Sequence, residues 1–444
     1  MKVKISPSRL RGEISAPPSK SYAHRLMICA ALAEGESTIR GISESEDMLA
    51  TLDCIAALGA KYEKIGDTVK ICGKTGKTPE GAVLRCRESG STLRFMIPPA
   101  LTGGRVRFEG TPRLLERGIG IYEQLLGGKG IEIKKDSGGI EFSGALTAGE
   151  YVLRGDVSSQ FITGLLFALP LLSGDSVIKI LPPVESRAYI DITIAALGSF
   201  GIKIAEHKKN TFAVPGGQRY AAGDKTVEGD WSNAAALEAF NLIGGKVNVN
   251  GLNENSIQGD RVCLEYFREL TQPGAELDIS NCPDLGPVLM VLGLFCEGQT
   301  VIRNAERLRI KESDRIEAME MELRKCGGVL SSEGGTITIT GCAGALHAPG
   351  KVLSGHNDHR VVMSLAVLAL AAWKFIGKNG DSIGYERPQT KVTYQVKVEG
   401  VAPELYENCQ AHLPSPLMAA GALVGGQIEA VEKETYQVLD ANGN

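Results

Sequence analysis

Residues 155–159 read GDVSS and residues 229–233 read GDWSN, and each stretch is followed by an apolar segment. Ser, Asn and Asp commonly cap the start of a helix, because their side chains accept hydrogen bonds from its free N–H groups. Similar polar caps recur along the chain. One marker residue for each gives the series Lys20, Ser89, Ser158, Ser232, Asp284 and Asp358, with spacings of 69, 69, 74, 52 and 74 residues. Six units of about 70 residues nearly fill the chain, which predicts a repeat architecture.

A second element recurs between the caps: a helix end, a glycine and a short alternating strand. Examples are ALGAKY at 57–62, LGSFGI at 197–202 and CGGV at 326–329. A glycine just past a helix is a stop signal. Each unit is therefore predicted to be helix–strand–helix–strand, and the chain to be a mixed α/β protein.

The composition is that of a globular protein, and the 444 residues are enough for two or three domains. Forty-eight Lys and Arg against 52 Asp and Glu give a net charge of −4, and aromatic residues make up 5%. Nucleic-acid binders usually carry a basic excess and stacking aromatic side chains. We therefore expect no nucleic-acid partner.

The cysteine pattern and the hydropathy both indicate a cytoplasmic protein. The ten cysteines form no C-x-x-C pair, and most lie in apolar stretches, which is typical of reduced thiols. Residues 1–14 contain no apolar signal segment. The two longest apolar runs, Phe161–Leu172 and Val361–Trp373, are shorter than the roughly 18 residues of a membrane helix. They are predicted to be buried helices, and no membrane partner is expected.

Several caps carry Lys or Arg beside the helix start, where free N–H groups and the helix dipole favour anions. In the stretch PPSKSYAHR at 17–25, Ser21 and Arg25 are four residues apart and share a helix face. Lys20, Ser21 and Arg25 can therefore bind one anion together. If the six helix starts converge, they form an anion-attracting cavity, which predicts a substrate with phosphates and carboxylates. A capped helix with surface charges is the alternative interpretation.

The most unusual segment is RLRIKESDR at 307–315, which crowds charges before a helix predicted over Ile316–Cys326. A solvated charge run is the usual interpretation of such a segment. Ser313 is a candidate cap of the helix. The apolar residues Ile302, Leu308 and Ile310 lie around the charged residues and predict a strand in which the charges are embedded. This pattern favours a functional site over a solvated surface.

The stretch HNDHR at 356–360 precedes another long apolar helix. His356, Asp358 and His359 resemble a metal-binding cluster, but no H-E-x-x-H pattern or further carboxylate accompanies them. Capping of the helix and anion binding by Arg360 are favoured, and no metal is expected.

Taken together, eight motifs resemble those of the 5-enolpyruvylshikimate-3-phosphate (EPSP) synthase family of enolpyruvyl transferases. They occur in the family's order, across residues 1 to about 372: PSKSYAHR, SGSTLRF, GTPRLLERGIG, GDVSSQF, SRAYID, CPDLGP, RIKESDRI and NDHR. The resemblance implies an α/β (α+β) fold of the inside-out α/β barrel type. It has two similar domains, each of three repeated βαβαββ units, with helix N-termini facing the interdomain cleft. Domain one is then 1–19 plus 228–444, and domain two is 20–227.

The resemblance implies transfer of the enolpyruvyl group of phosphoenolpyruvate to the 5-hydroxyl of 3-phosphoshikimate, with release of phosphate, in chorismate and aromatic amino-acid biosynthesis. It implies no cofactor and a monomer whose domains close on the substrates. The implied catalytic residues are Asp284 (base toward the hydroxyl), Glu312 (proton carrier) and Lys20. The implied 3-phosphoshikimate-binding residues are Lys20, Ser21, Arg25, Ser158, Ser159, Gln160, Ser186, Tyr189, Asp284 and Lys311. The implied phosphoenolpyruvate-binding residues are Lys20, Gly90, Arg117, Gln160, Arg315, Arg360 and Lys391.

The sequence also departs from the family. Residues 88–90 read ESG where Asn-Ala-Gly is familiar, and the resemblance stops after about residue 372, where a Lys-Ser-Tyr-Pro segment is expected. Lys391 lies in the nearest echo of that segment, and residues 392–399 alternate like a strand. A replaced C-terminus is our hypothesis for this part of the chain.

Two alternatives stay open at this point. One is UDP-N-acetylglucosamine enolpyruvyl transferase, which usually carries a cysteine in its mobile loop; residues 110–120 contain none. The other is a catalytically impaired binding homologue, because of the divergent C-terminus.

Overall fold

The computed structural model describes residues 2–5, 10–73, 76–347, 349, 352–371, 394–397 and 428–430. The chain forms two compact units. Unit 1 comprises Met1–Pro17, Asp230–Ser256 and Asp260–Asn444, and unit 2 comprises Pro18–Gly229 and Ile257–Gly259. The chain passes between the units at residues 17/18 and 229/230, beside the crossings expected from the sequence, and again on both sides of the short segment 257–259. The domain boundaries themselves stay a prediction.

The strands are short, as expected for Gly-rich connections. In chain order they are β1 (Lys2–Ile5), β2 (Arg11–Ser15), β3 (Ala33–Arg40), β4 (Lys61–Ile65), β5 (Thr68–Gly73), β6 (Ala82–Arg85), β7 (Thr102–Glu109), β8 (Glu132–Asp136), β9 (Gly139–Ala145), β10 (Glu150–Arg154), β11 (Ser176–Leu181), β12 (Ala205–Lys208), β13 (Thr211–Val214), β14 (Tyr220–Ala221), β15 (Lys225–Thr226), β16 (Lys246–Asn250), β17 (Glu276–Asp278), β18 (Gln299–Arg303), β19 (Val329–Glu333), β20 (Thr336–Thr340), β21 (Leu353–Ser354), β22 (Tyr394–Lys397) and β23 (Ile428–Ala430).

The α-helices alternate with these strands. They are α1 (Lys20–Leu32), α2 (Glu46–Ala57), α3 (Gly90–Ala100), α4 (Pro112–Glu116), α5 (Gly120–Gly127), α6 (Ser159–Ala168), α7 (Arg187–Ser199), α8 (Trp231–Leu242), α9 (Cys263–Glu269), α10 (Gly286–Gly293), α11 (Arg315–Arg324) and α12 (His359–Ala371). Short 3₁₀ turns cover Leu169–Leu171, Gly259–Val262, Pro283–Leu285 and Glu306–Ile310. Among the described residues, no helix is both long and apolar enough to cross a membrane.

Unit 2 contains three sheets of one design. Their strand orders are β14-β3-β5-β4, with β15 also on β3, then β6-β7-β9-β8 and β10-β11-β13-β12. The second and third sheets each have one parallel strand pair, the first has two because β14 and β15 both pair with β3, and the remaining pairs are antiparallel. A parallel pair needs a long crossover, which a helix supplies. The chain order within the second and third sheets is therefore β-α-β-α-β-β, the repeat predicted above.

The core of unit 2 is built from the helices that follow the caps. Helix α3 packs against α6, and α1 packs against α7. The run Phe161–Leu172 is buried as predicted, except at its last residues. Helix α6 ends at Ala168 and continues as the 3₁₀ turn Leu169–Leu171, because Pro170 lacks the N–H that an α-helix would need.

Unit 1 repeats the design with changes. Sheet β17-β18-β20-β19 has the same mixture of parallel and antiparallel pairs, β2 pairs with β16, and the last sheet has the order β21-β22-β1-β23. Helix α12 is buried from Arg360 to Ala371, in agreement with the buried helix predicted over Val361–Trp373. Strand β22 lies within the strand predicted over 392–399.

Two local predictions in the charged segment are wrong. Residues 306–310 form a 3₁₀ turn and not a strand, because β18 ends at Arg303 and Asn304, with φ +59°, turns the chain. Leu308 is therefore buried while Ile310 is 63% exposed. Ser313 does not cap α11. The cap is Asp314, whose carboxylate accepts hydrogen bonds from two backbone N–H groups at the start of α11 (3.1 and 3.0 Å).

Candidate active site

The start of α1 presents Lys20 beside a carboxylate of α2. Ser19 caps the helix, and Lys20 Nζ donates a hydrogen bond of 2.7 Å to Asp47 Oδ2. Burial alone would raise the pKa of Asp47, but the charge and hydrogen bond of Lys20, with a further hydrogen bond from Ser89, lower it. Asp47 therefore stays ionised and holds the Lys20 ammonium at the helix start.

Arg25 is buried one turn further along α1, with 2% of its surface exposed. Its Nε donates to Thr193 Oγ1 (2.7 Å), and its terminal nitrogens donate to the carbonyl oxygens of Ser21 (2.6 Å) and Tyr189 (3.0 Å). Burial lowers the pKa of Arg25 to about 10, so it remains a cation at neutral pH. The structure thus brings the predicted residues Ser21, Arg25 and Tyr189 together.

The start of α3 lies against a second arginine. Ser89 caps the helix and Gly90 is its first residue. A methyl group at Gly90 would lie 3.2 Å from Arg117 Nη1, tighter than an ordinary contact, so glycine leaves room for the guanidinium. Arg94, on the same helix, donates to Gln160 Oε1 (2.7 Å) and to the carbonyl of Arg117 (3.3 Å). Gly90, Arg117 and Gln160 therefore form one group, which Arg94 holds together.

The serines of the third repeat lie at two helix starts. Ser158 caps α6 and accepts a hydrogen bond from the Gln160 N–H (3.3 Å), and Ser159 is buried beside it. Ser186 directly precedes α7, is buried, and has a φ of +53°, which non-glycine residues rarely adopt. Strained residues of this kind are concentrated at binding sites.

In unit 1, Arg315 is the centre of a cluster of ions. Its side chain is 1% exposed and makes three contacts with carboxylates: Nε with Asp358 (2.8 Å), Nη1 with Asp284 (2.8 Å) and Nη2 with Glu312 (2.7 Å). The Asp358 side chain is fully buried and also accepts hydrogen bonds from Ser313 Oγ (3.1 Å) and the Arg360 N–H (2.8 Å).

Asp284 joins this cluster to two further cations. Its Oδ1 accepts a hydrogen bond from Lys311 Nζ (3.1 Å), and its Oδ2 lies 3.9 Å from Arg360 Nη2. Burial alone would raise the pKa of Asp284, but Lys311, Arg315 and Arg360 hold it well below its usual range. Burial also lowers the pKa of Lys311. Asp284 is thus ionised in a strongly cationic site, and its side chain is still 18% exposed.

One further carboxyl group faces this cluster. Asp260 is 4% exposed, and its Oδ1 has no hydrogen-bond partner among the described residues. Burial and the charge of Asp284 raise the pKa of Asp260 to about 7. An acid that titrates near neutral pH beside a candidate base is typical of active sites.

Sequence reasoning did not identify three of these residues: Asp47, Arg94 and Asp260. Arg94 stands inside the quoted motif SGSTLRF, so its position was the available signal, whereas Asp47 and Asp260 carried none. Lys391 lies outside the described residues. In the part of the chain that the structure describes, no group of three His, Cys, Asp or Glu residues is placed to hold a metal ion.

Comparisons with known proteins give one family-model match and several relatives. The family model for EPSP synthase (3-phosphoshikimate 1-carboxyvinyltransferase) matches residues 5–383. The 3-phosphoshikimate 1-carboxyvinyltransferase of Clostridium kluyveri is 39% identical over 386 residues, which cover 83% of this chain and 90% of that protein. The enzyme of the same name from Clostridium acetobutylicum is 40% identical over 400 residues, which cover 85% and 92%.

Among solved structures, an EPSP synthase from Acinetobacter baumannii matches with a TM-score of 0.75 and 21% identity, covering 97% of this chain and 100% of that chain. The likeness shows the fold, and the predicted two-domain inside-out α/β class is confirmed. The family match also runs past residue 372, where the motifs quoted above stop.

Proposed function

This chain belongs to the EPSP synthase family, and we propose that it transfers the enolpyruvyl group of phosphoenolpyruvate to the 5-hydroxyl of 3-phosphoshikimate. The products are 5-enolpyruvylshikimate 3-phosphate and inorganic phosphate. The reaction is a step of chorismate and aromatic amino-acid biosynthesis. We propose that the protein acts in the cytoplasm as a monomer and that the reaction needs no cofactor, metal, membrane or nucleic acid.

The reaction is an addition followed by an elimination. The 5-hydroxyl loses its proton and its oxygen attacks the phosphate-bearing carbon of phosphoenolpyruvate, while the methylene carbon gains a proton. The tetrahedral intermediate then loses a methyl proton and phosphate, which restores the double bond. Both substrates are polyanions, so fixed cations that need no reorganisation during the reaction stabilise the charge that develops.

For phosphoenolpyruvate we propose a site built from arginines, because their planar forks match carboxylate and phosphate groups. Arg315 and Arg360 in unit 1 are buried and held in place by Asp358, which supports this role. The remaining proposed contacts from unit 2 are Lys20, Gly90, Arg117 and Gln160. Lys391, which lies outside the described ranges, is the last proposed contact.

For 3-phosphoshikimate we propose the hydroxyl-rich helix starts of unit 2 with two basic side chains, together with Asp284 and Lys311 of unit 1. Uncharged donors at helix N-termini suit a phosphate monoester and ring hydroxyls. The proposed unit 2 residues are Lys20, Ser21, Arg25, Ser158, Ser159, Gln160, Ser186 and Tyr189.

We assign the base to Asp284 and the proton carrier to Glu312. The observation that carries the assignment is the contact of the partly exposed Asp284 carboxylate with Lys311, Arg315 and Arg360. Three cations keep it ionised and ready to accept a proton from the hydroxyl. Glu312 shares Arg315 with Asp284, so protonation of one carboxylate changes the electrostatic field at the other.

The test is phosphate release from phosphoenolpyruvate by the purified protein, with and without 3-phosphoshikimate. We expect release only when both substrates are present. Asp284→Asn should slow it by about 10²–10⁴-fold, the usual contribution of a general base. Asp278→Asn, an exposed aspartate of β17, is the matched control and should leave the rate unchanged.

Absence of phosphate release, with 3-phosphoshikimate still bound in calorimetry, would instead identify a catalytically impaired binding homologue. Absence of both would refute the assignment. Phosphate release that depends on UDP-N-acetylglucosamine would identify the other transferase.

A further inference from the structure

Helix α11 carries a buried glutamate that the proposed mechanism does not use. The side chain of Glu322 has no exposed surface, yet it accepts four hydrogen bonds. Lys325 Nζ donates to both oxygens (2.8 Å each), the Ser354 N–H donates to Oε2 (2.9 Å), and His356 Nε2 lies 2.8 Å from Oε1. Burial would raise the pKa of Glu322, but these donors lower it, so the buried carboxylate is ionised.

Two of the three donor groups, the Ser354 N–H and His356 Nε2, belong to the segment Leu353–Asp358, which leads into α12. His356 and Asn357 are consecutive residues with φ of +50° and +53°. Left-handed conformations of this kind are strained and persist only where the surroundings fix them. The His356 N–H also donates to Ser354 Oγ (3.1 Å), which tightens the turn. Glu322 therefore supplies the contacts that hold this conformation at its outer end.

Helix α11 contacts the same segment at a second point. Its first residue, Arg315, binds Asp358 Oδ2, while Asp358 Oδ1 caps the Arg360 N–H. Arg315 and Glu322 are seven residues apart, so their Cα atoms are separated by about 10 Å along the helix. One helix thus fixes both ends of the segment that presents Arg360.

We propose that Glu322 is a positioning residue that sets the distance between Arg315 and Arg360 for phosphoenolpyruvate. The proposal rests on the proposed function, which assigns these two arginines to that substrate. Glu322 touches neither substrate in this scheme. It acts through the segment Leu353–Asp358, which is shaped before the substrate arrives.

The test compares Glu322→Gln with the wild-type protein and with a control variant, Glu320→Gln. Glu320 lies on the same helix and pairs with Arg324 (3.0 Å) and not with the segment. We expect Glu322→Gln to raise the KM for phosphoenolpyruvate about tenfold and to change the KM for 3-phosphoshikimate less than twofold. Deuterium exchange in residues 352–362 should become faster in Glu322→Gln and stay unchanged in Glu320→Gln.

A second pair of variants guards against misfolding of Glu322→Gln. The His356 side chain is partly exposed, so His356→Leu and His356→Gln should both fold. Glutamine keeps a donor near the place of Nε2 and should preserve the KM for phosphoenolpyruvate, whereas leucine should raise it severalfold. A purely structural role would move the thermal stability of both variants without this split.

Equal effects on both KM values, or equal KM values for leucine and glutamine, would overturn the proposal. If the wild-type protein releases no phosphate, the proposed function fails. The exchange measurement then decides alone on Glu322, and unchanged exchange in Glu322→Gln would refute its role.

Discussion

Replacement of Asp358 by alanine should destabilise unit 1 far more than the loss of an exposed ion pair. The Asp358 carboxylate is fully buried, and its removal leaves Arg315 Nε, Ser313 Oγ and the Arg360 N–H without their acceptor. Breaking a buried ion pair costs about 3–5 kcal/mol. Arg315 keeps Asp284 and Glu312, which favours the lower end of this range, and loss of the helix cap adds about 1 kcal/mol. We expect a loss of about 4 kcal/mol.

Urea denaturation followed by tryptophan fluorescence measures this loss in the right part of the chain. The sequence has two tryptophans, and neither lies within residues 18–229 or 257–259 of unit 2. With a slope of about 3 kcal/mol per molar urea, the midpoint should fall by about 1.3 M. Arg315 and its hydrogen bond outweigh burial and lower the pKa of Asp358. Its contribution is therefore present above the ordinary aspartate pKa and is lost as the pH falls, so the measurement belongs at pH 7.5.

The control is Glu276→Gln, which removes an exposed pair with Arg303 at 3.0 Å in the same unit. Exposed pairs contribute little, because water and salt screen them, so this midpoint should not move measurably. The variant Asp358→Asn keeps the oxygen that accepts the hydrogen bond of the helix cap, so its urea midpoint should lie between those of Asp358→Ala and Glu276→Gln. A midpoint for Asp358→Ala equal to that of Glu276→Gln would refute the reasoning from burial.

Two further predictions concern residues that the sequence did not reveal. Because burial and Asp284 raise the pKa of Asp260 to about 7, the folded protein holds a proton there that the unfolded chain releases above about pH 4. Stability should therefore fall between about pH 4 and pH 7 on account of this group. Scanning calorimetry from pH 5 to pH 8 should show a flatter profile for Asp260→Asn; parallel profiles would count against the shifted pKa. The variant Arg94→Lys loses the planar guanidinium that links Gln160 to the carbonyl of Arg117. In steady-state kinetics it should lower kcat/KM for phosphoenolpyruvate about tenfold, while the melting temperature stays unchanged. An unchanged kcat/KM would show that the link is dispensable.

The features predictable from the sequence are those whose cause is local. A serine that caps a helix bonds a backbone N–H two or three residues away, as Ser19, Ser89 and Ser158 do. Most of the caps, the repeat and the buried helices could therefore be inferred from short stretches. The exception is the stretch before α10, where the predicted cap around Asp284 is wrong because no side chain caps the helix. The mixed α/β class followed because six such stretches came in order, whereas the two-domain inside-out arrangement was implied by the family resemblance.

The features that were missed depend on distant partners. Lys20 and Asp47 are 27 residues apart and Arg94 and Gln160 are 66 residues apart, so no local pattern connects them. The cap of α11 was misassigned to Ser313 for a related reason. Two adjacent residues can both cap, and the long-range bond of Ser313 to Asp358 decides between them. The strand expected at Leu308 and Ile310 failed because two apolar residues with a period of two also fit a 3₁₀ turn.

Two of the crossings, at residues 17/18 and 229/230, lie side by side. Within unit 2, Pro18 pairs with Gly229, and the Ser19 N–H donates to the Glu228 carbonyl at 2.8 Å. Within unit 1, the Asp230 N–H donates to the Pro17 carbonyl at 2.7 Å. The main segment of unit 2, Pro18–Gly229, thus has the geometry of an insertion. Its two ends lie so close together that a very short connector would join the flanking chain if the segment were removed. An ancestral gene could gain or lose such a module, and a present-day engineer could exchange it, without rebuilding the host.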